Sequence, residues 1–167
     1  MEGKIALRVA ARDDLASILA IQRASPGAAA WSADDYAAAF ADDAALCLLA
    51  EDTLWERAAG FLVSRSVADE MEILNLAVAD GYRRQGLGRR LVGEALARAQ
   101  GRGARTCWLE VRAGNRTARL FYRALGFREE SRRRRYYRDP EDDAVVCVRR
   151  LPPAGPPTTS RPGESAP

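Results

Sequence analysis

The stretch of sequence that decides the fold is residues 74–91, LNLAVADGYRRQGLGRRL. Its apolar start predicts a β-strand that ends at Val78, and its end opens a helix with apolar residues at helical spacing. Gly86 and Gly88 stand at the junction of the two elements. The first N–H groups of a helix lack intrahelical partners, and glycine lets a backbone come close to a ligand. The stretch therefore predicts an anion site that suits a pyrophosphate.

The segments on either side of this stretch predict a mixed α/β domain. Ser32 is expected to cap a short helix, because its hydroxyl can accept a hydrogen bond from the first helical turn. Residues 26–30 form a predicted loop before that cap. The predicted strands cover residues 5–9, 45–50, 59–67, 72–78, 106–111, 127–137 and 144–150, and the predicted helices cover residues 12–24, 32–40, 87–100 and 115–125.

The composition sets the limits of the domain. Hydrophobic residues make up 47% of the 167 residues and charged residues 29%, which is typical of a globular protein. Residues 152–167 hold six of the eight prolines and are predicted to be a disordered tail, because so few apolar side chains cannot offset the entropy of ordering. The domain is therefore expected to span residues 1–151.

Charge is distributed unevenly along the chain. Residues 1–81 carry 6 basic and 14 acidic side chains, and residues 82–167 carry 20 basic and 9 acidic ones. This asymmetry predicts a cationic ligand on one side and an anionic ligand on the other. The alternative is that these side chains are ordinary surface charges with no role in binding a ligand.

Missing residue types exclude several kinds of site. The chain has no histidine, which excludes Ser-His-Asp catalysis, Cys-His catalysis and histidine metal sites; no metal is expected. Lys4 is the only lysine, which excludes a Walker phosphate loop and a Schiff-base enzyme. Cys47, Cys107 and Cys147 lack metal or redox spacing and are predicted to be reduced core residues. With no signal peptide and no apolar run of about 20 residues, a cytoplasmic protein is expected.

Motifs in the second half of the chain resemble a known family. Arg83-x-x-Gly86-x-Gly88 resembles the acyl-coenzyme A pyrophosphate loop of the GNAT superfamily of N-acetyltransferases. WLEVRAGN at residues 108–115, LFY at 120–122 and RRRRYY at 132–137 are similar to the RimI family within it. Members of that family acetylate the N-terminal alanine of the eighteenth small-subunit ribosomal protein. The family usually has proline where Ala30 stands and serine where Gly114 stands.

The resemblance implies a fold, a cosubstrate and an acceptor. It implies an α/β (α+β) GNAT fold with a mixed central sheet of six to seven strands flanked by four helices. It also implies acetyl-CoA as cosubstrate and a basic protein N-terminus as acceptor, with neither a membrane nor a nucleic-acid partner. A monomer is assumed, and the oligomeric state is left open.

The resemblance also implies roles for individual residues. Glu110 would be the general base. Glu72, beside the acceptor, is a second candidate for that role. The alternative to a catalytic role is that Glu110 forms an ion pair with Arg112 or another arginine. Tyr122 would be the general acid, since a phenol with a pKa of about 10 can protonate a thiolate of about 8.5. Trp31, Tyr136 and Tyr137 would line the acceptor groove. The implied coenzyme contacts are Leu76, Ala77, Val78, Arg83, Arg84, Gln85, Gly86, Leu87, Gly88, Arg89 and Asn115, the last also being a predicted N-cap.

Two other functions stay open on the sequence. The same fold could acetylate protein lysines or a small-molecule amine, because the motifs do not identify the acceptor. The run of arginines at residues 132–135 also fits a basic nucleic-acid-binding module, which would bind nucleic acid in a salt-sensitive manner and would not bind coenzyme A.

Overall fold

The computed structural model of the chain describes residues 4–153. Most of the predicted tail, from residue 154 onward, lies outside the described residues. Within the described range the chain forms seven strands and four helices, which confirms the predicted α/β class. They are β1 (Ile5–Val9), α1 (Leu15–Arg23), α2 (Ala33–Ala41), β2 (Ala45–Asp52), β3 (Arg57–Val67), β4 (Glu70–Val78), α3 (Leu87–Gly101), β5 (Thr106–Arg112), α4 (Arg116–Ala124), β6 (Arg128–Arg138) and β7 (Glu141–Arg150).

The strands form one sheet in the order β1-β2-β3-β4-β5-β7-β6. Neighbouring strands are antiparallel except β4 and β5, which are parallel and are connected through α3. Helices α3 and α4 contribute to the core on one face of the sheet, and α1 and α2 to the core on the other face. None of the helices between residues 4 and 153 is long and apolar enough to cross a membrane.

Apolar spacing explains how α3 packs on the sheet. Leu87, Leu91, Ala95 and Ala99 recur every four residues and are buried, so they form one stripe that faces the core. The opposite side of the helix carries exposed arginines and Gly93. A stripe of this kind positions the first turn of α3 against the end of β4.

The start of the first predicted helix differs from the prediction. Residues Arg12–Asp14 form a 3₁₀ turn, and the α-helix begins at Leu15 rather than at Arg12. The Asp14 carboxylate accepts a hydrogen bond from Ala11 N at 2.7 Å and pairs with Arg8. This local cap satisfies the backbone in a tighter turn before the helix starts. The Ser32 cap is as predicted, since its hydroxyl accepts from Asp35 N at 3.2 Å.

Candidate active site

The parallel strands β4 and β5 separate partway along their length. Their pairing runs from Glu70 opposite Thr106 to Ile73 opposite Leu109, and within the described residues it stops there. A bulge in β4 follows, because Ser64 pairs with Ile73 while its neighbour pairs two residues further on. The backbone of residues 75–78 is therefore bonded to β3 on one side and faces an open gap on the other.

The turn between β4 and α3 places a run of free N–H groups beside the end of β4. Gly86 caps α3 with a left-handed backbone, φ +79°, a conformation that costs an L-residue about 1–2 kcal/mol. Arg90 N donates to Gly86 O at 3.1 Å as the helix begins. The N–H groups of residues 87–89 therefore lack a helical acceptor and carry the positive end of the helix dipole.

The side chains around this turn leave the backbone accessible. Leu87 is buried in the core beneath α3, and Gln85 Nε2 donates back to Gly81 O at 3.0 Å. A Cβ at Gly88 would lie 3.2 Å from the ring of Phe121. Glycine at this position therefore allows α3 to begin in close contact with α4.

The guanidinium of Arg83 is engaged with the protein. It donates to Val78 O at 2.8 Å and to the Ser25 hydroxyl at 3.0 Å, so it ties the end of β4 to the loop that follows α1. Because the guanidinium is engaged, the backbone of Arg83 is the group that remains available for the predicted contact with the phosphates. Arg84 and Arg89 are exposed, and their charges remain available at the turn.

Two carboxylates lie on the face of the sheet that α1 and α2 pack against. Glu110 points away from the core of α3 and α4, because its neighbours Leu109 and Val111 face that core and side chains alternate along a strand. Glu72 lies beside it, and burial together with the negative charge of Glu110 raises the pKa of Glu72 above its ordinary value. Arg133 Nε lies 3.0 Å from Glu110 Oε1.

The ion pair settles which arginine accompanies Glu110. The predicted pairing of Glu110 with Arg112 or another arginine is met by Arg133. Arg112 donates to Pro140 O at 2.9 Å and lies over the ring of Tyr137, 4.1 Å from its centroid. These contacts direct its guanidinium toward the β6–β7 turn.

Tyr122 lies on the opposite face of the sheet, in the core to which α3 and α4 contribute. Its side chain is buried on the inner side of α4, in edge-to-face contact with Phe121 and Phe127 at 5.1 and 5.5 Å between ring centroids. Burial raises the pKa of Tyr122 above its ordinary value. Glu110 and Tyr122 therefore lie on opposite faces of the sheet.

Asn115 connects the start of α4 to the loop between α1 and α2. Its Oδ1 accepts from Ala118 N at 3.1 Å, which confirms the predicted N-cap. A Cβ placed on Gly27 would lie 2.9 Å from Asn115 Nδ2, so the loop touches this amide. Among the described residues Nδ2 donates no hydrogen bond, and it is free to donate to a ligand.

A buried polar network holds the same loop against β4. The Asn75 amide accepts from Ala29 N at 3.1 Å and donates to Ala29 O and to the Tyr36 hydroxyl, each at 3.1 Å. Tyr36 donates to Gln22 Oε1, and Gln22 Nε2 donates to Trp31 O at 2.9 Å. These bonds fix the backbone at Trp31. The Trp31 ring packs against the Tyr36 ring, with 5.2 Å between the two ring centroids.

The two tyrosines of β6 stand near the carboxylates. Tyr136 is exposed, and interaction with the Glu110 carboxylate raises the pKa of its hydroxyl. The Tyr137 side chain is half-buried, and its ring is perpendicular to the Tyr136 ring, with 5.2 Å between the two ring centroids. Tyr136 therefore faces the carboxylate side of the gap, the same side as the loop that carries Trp31.

A family model describes this combination of sheet, gap and turn. The model named Acetyltransferase (GNAT) family matches residues 13–127. The chain belongs to the GNAT acetyltransferase family. The matched range includes the gap, the turn, Glu110 and Tyr122.

Curated relatives match a shorter part of this GNAT chain. The ribosomal protein bS18-alanine N-acetyltransferase of Escherichia coli K12 is 45% identical over 71 residues, which are 42% of this chain and 48% of that protein. The enzyme of the same name from Haemophilus influenzae is 37% identical over 70 residues, or 42% and 47%. These alignments span about half the length of the curated relatives.

Solved structures match the GNAT fold over most of its length. The crystal structure of the ribosomal-protein-S18-alanine N-acetyltransferase from Escherichia coli has a TM-score of 0.79 and 32% identity, covering 91% of this chain and 97% of that one. Ard1 from Thermoplasma volcanium also has a TM-score of 0.79, with 23% identity and coverage of 88% and 97%. The latter supports the fold alone.

Sequence reasoning missed three residues that shape this GNAT site. Asn75 is visible in the sequence as a polar residue inside an apolar strand, but its partners come from α1, α2 and their connecting loop. Gly27 lies in a predicted loop, and only the fold brings it to Asn115. Arg133 is one of four consecutive arginines, and nothing in the sequence distinguishes it as the partner of Glu110.

Proposed function

We propose that the chain transfers an acetyl group from acetyl-CoA to the N-terminal alanine amine of ribosomal protein bS18. The observation that carries the proposal is the open gap between β4 and β5, in a sheet that holds Glu110 on one face and Tyr122 on the other. The names of the relatives support the choice of acceptor.

The described residues fit acetyl-CoA on two observations. The backbone of residues 75–78 does not pair with β5 along the gap; Val78 O accepts from Arg83, and the other groups that face the gap suit the amides of a pantetheine arm. The free N–H groups of residues 87–89 and the left-handed Gly86 suit a pyrophosphate. Bound there, acetyl-CoA supplies an acetyl group activated as a thioester. Contacts from this chain would come from the backbone of Leu76, Ala77, Val78, Arg83, Arg84, Gln85, Gly86, Leu87, Gly88 and Arg89, and from Asn115 Nδ2.

In the proposed reaction Glu110 would act on the acceptor amine. An ammonium has no lone pair, so it must give up a proton before its nitrogen can form the bond to the acetyl carbon. The Glu110 carboxylate would take that proton, directly or through a water. Glu72 would assist, because its raised pKa lets it hold a proton that Glu110 passes on.

In the proposed reaction Tyr122 would act on the leaving sulfur. As the carbon–sulfur bond breaks, the electron pair goes to sulfur, and the Tyr122 hydroxyl would donate its proton to the thiolate. Burial raises the pKa of Tyr122, so its hydroxyl carries a proton before the thiolate forms. A backbone N–H of β4 facing the gap would donate to the carbonyl oxygen as negative charge develops on it.

Acidic groups around the acceptor side support a cationic acceptor. The acidic side chains are concentrated in residues 1–81, which include Asp34 and Asp35. Asp35 also closes the capping box of α2 with Ser32, so a charge reversal there would disturb the helix. Asp34 is exposed and is the position at which attraction of a basic peptide is testable.

A thiol-release assay with a panel of acceptors tests the proposal. The panel contains an arginine-rich peptide beginning with alanine, its N-blocked form carrying an internal lysine, and spermidine. Turnover with the free alanine terminus alone, lost in Glu110→Gln and Tyr122→Phe, is the expected result. Turnover only with the internal lysine or with spermidine would keep the acetyltransferase activity and change the proposed acceptor. No turnover with any amine, together with no thermal stabilisation by coenzyme A, would contradict the proposal and favour the nucleic-acid module.

A further inference from the structure

The ion pair between Arg133 and Glu110 joins groups of very different exposure. The Glu110 side chain is 13% exposed and that of Arg133 is 53% exposed. The guanidinium therefore reaches in from the solvent side of β6 to a carboxylate that is largely enclosed. A cation held mostly by water can leave such a pair at little cost, whereas the enclosed carboxylate needs some cation beside it.

Neighbouring charges strengthen the need of the Glu110 carboxylate for a cation beside it. Glu72 lies beside Glu110, and burial and the charge of Glu110 both raise the pKa of Glu72. Arg65 and Arg133 act on Glu72 in the opposite sense. Two neighbouring carboxylates in a partly enclosed place repel one another, so removing Arg133 without a replacement would leave excess negative charge.

The chain also provides a place for the displaced guanidinium. The Arg133 guanidinium carbon lies 5.5 Å from the centroid of the exposed Tyr136 ring, within the range in which an arginine is attracted to an aromatic face. A small rotation of the Arg133 side chain would break its contact with Glu110 and keep the one with Tyr136. Both Arg133 and Tyr136 border the carboxylate side of the gap.

We propose that Arg133 is a specificity-determining residue that occupies the position of the acceptor ammonium until an acceptor replaces it. This inference rests on the proposed function, in which Glu110 receives the proton of the acceptor amine. A guanidinium does not give up its proton in proteins, so Glu110 acts as a base only when another cation has taken that position. When a protonated primary amine replaces the Arg133 guanidinium beside Glu110, the net charge around the carboxylate does not change, whereas a neutral amine would leave the carboxylate without a cation. The exchange therefore selects acceptors that arrive as ammonium ions.

Replacing the resident cation tests the exchange. Arg133→Gln removes the competitor, so the KM of the acceptor should fall roughly threefold, as expected for a half-exposed ion pair. The KM of acetyl-CoA should not change, and kcat should stay within twofold of the wild type. Arg133→Lys keeps a competing cation and should restore the wild-type KM. Arg128→Gln removes the same charge from the first residue of β6 and is the matched control, with no expected effect.

The outcome separates this inference from the proposed function. The measurement uses whichever primary amine of the panel is turned over, so a different acceptor changes the proposed function and still tests the exchange. A KM that rises in Arg133→Gln would overturn the exchange and give Arg133 a role in binding the acceptor. An unchanged KM with kcat reduced tenfold would also overturn it and give Arg133 a positioning role toward Glu110. Absence of turnover with every amine would remove both proposals.

Discussion

A methyl group at position 27 should destabilise the protein through Asn115. The Cβ of Gly27→Ala would lie 2.9 Å from Asn115 Nδ2, which is too close for a carbon–nitrogen contact. Moving the amide away pulls Oδ1 from Ala118 N, now at 3.1 Å, and loss of an N-cap costs about 1 kcal/mol. Gly27→Ala should therefore lower the free energy of unfolding by about 1 kcal/mol, measured by urea denaturation.

A double-mutant cycle isolates this contact. In Asn115→Ala the amide and the cap are both absent, so adding Gly27→Ala should cost nothing, and the coupling energy should be about 1 kcal/mol. Gly93→Ala is the control, because nothing lies within 4 Å of a Cβ there and alanine in an exposed helix should stabilise the protein by about 0.5–1 kcal/mol. Equal costs of Gly27→Ala in both backgrounds would refute the reasoning.

Three further changes have definite expected results. Gly86→Ala puts a side chain on a left-handed backbone at φ +79°; it should lower stability by about 1–2 kcal/mol and raise the KM of acetyl-CoA, and an unchanged KM would argue against a backbone site at the turn. Tyr36→Phe removes the hydroxyl shared by Gln22 and Asn75; it should lower the free energy of unfolding by about 1–3 kcal/mol, and a change below the error of urea denaturation would count against the network. Because the pKa of Glu72 is raised, the folded state binds its proton more tightly than the unfolded chain does, and the stability this gives is present at low pH and lost as pH rises through the folded pKa. Glu72→Gln should therefore raise the melting temperature near pH 8, by an amount that shrinks toward about pH 4; a pH-independent difference would contradict the assigned shift.

Local patterns in the sequence were enough to predict the elements and the turn. Alternation in β4, the four-residue spacing in α3 and the glycine pair at the junction each depend on neighbours in the chain. The same holds for the caps at Ser32 and Asn115, which use donors three residues away. Such features are read from sequence because their physical cause lies within one or two turns.

Contacts between distant segments were beyond the reach of these patterns. The partner of Glu110 comes from β6, and β7 lies between β5 and β6 in the sheet. Arg83 was predicted to contact the coenzyme, yet its guanidinium bonds to Val78 O and the Ser25 hydroxyl. Asn75 bonds to Ala29 in the loop between α1 and α2, and the bulge beside Asn75 depends on the register of β3 with β4. Each of these depends on packing in three dimensions rather than on spacing along the chain.

The kcat of Tyr122→Phe with the alanine-terminal peptide tests the central claim most directly, which is that Tyr122 protonates the leaving thiolate across the gap from Glu110. Phenylalanine keeps the packing against Phe121 and Phe127 and removes only the hydroxyl, so the substitution changes the proton donor alone. The account predicts a fall in kcat of about 10²–10⁴-fold, with an unchanged KM for acetyl-CoA and an unchanged melting temperature. A kcat within threefold of the wild type would contradict it.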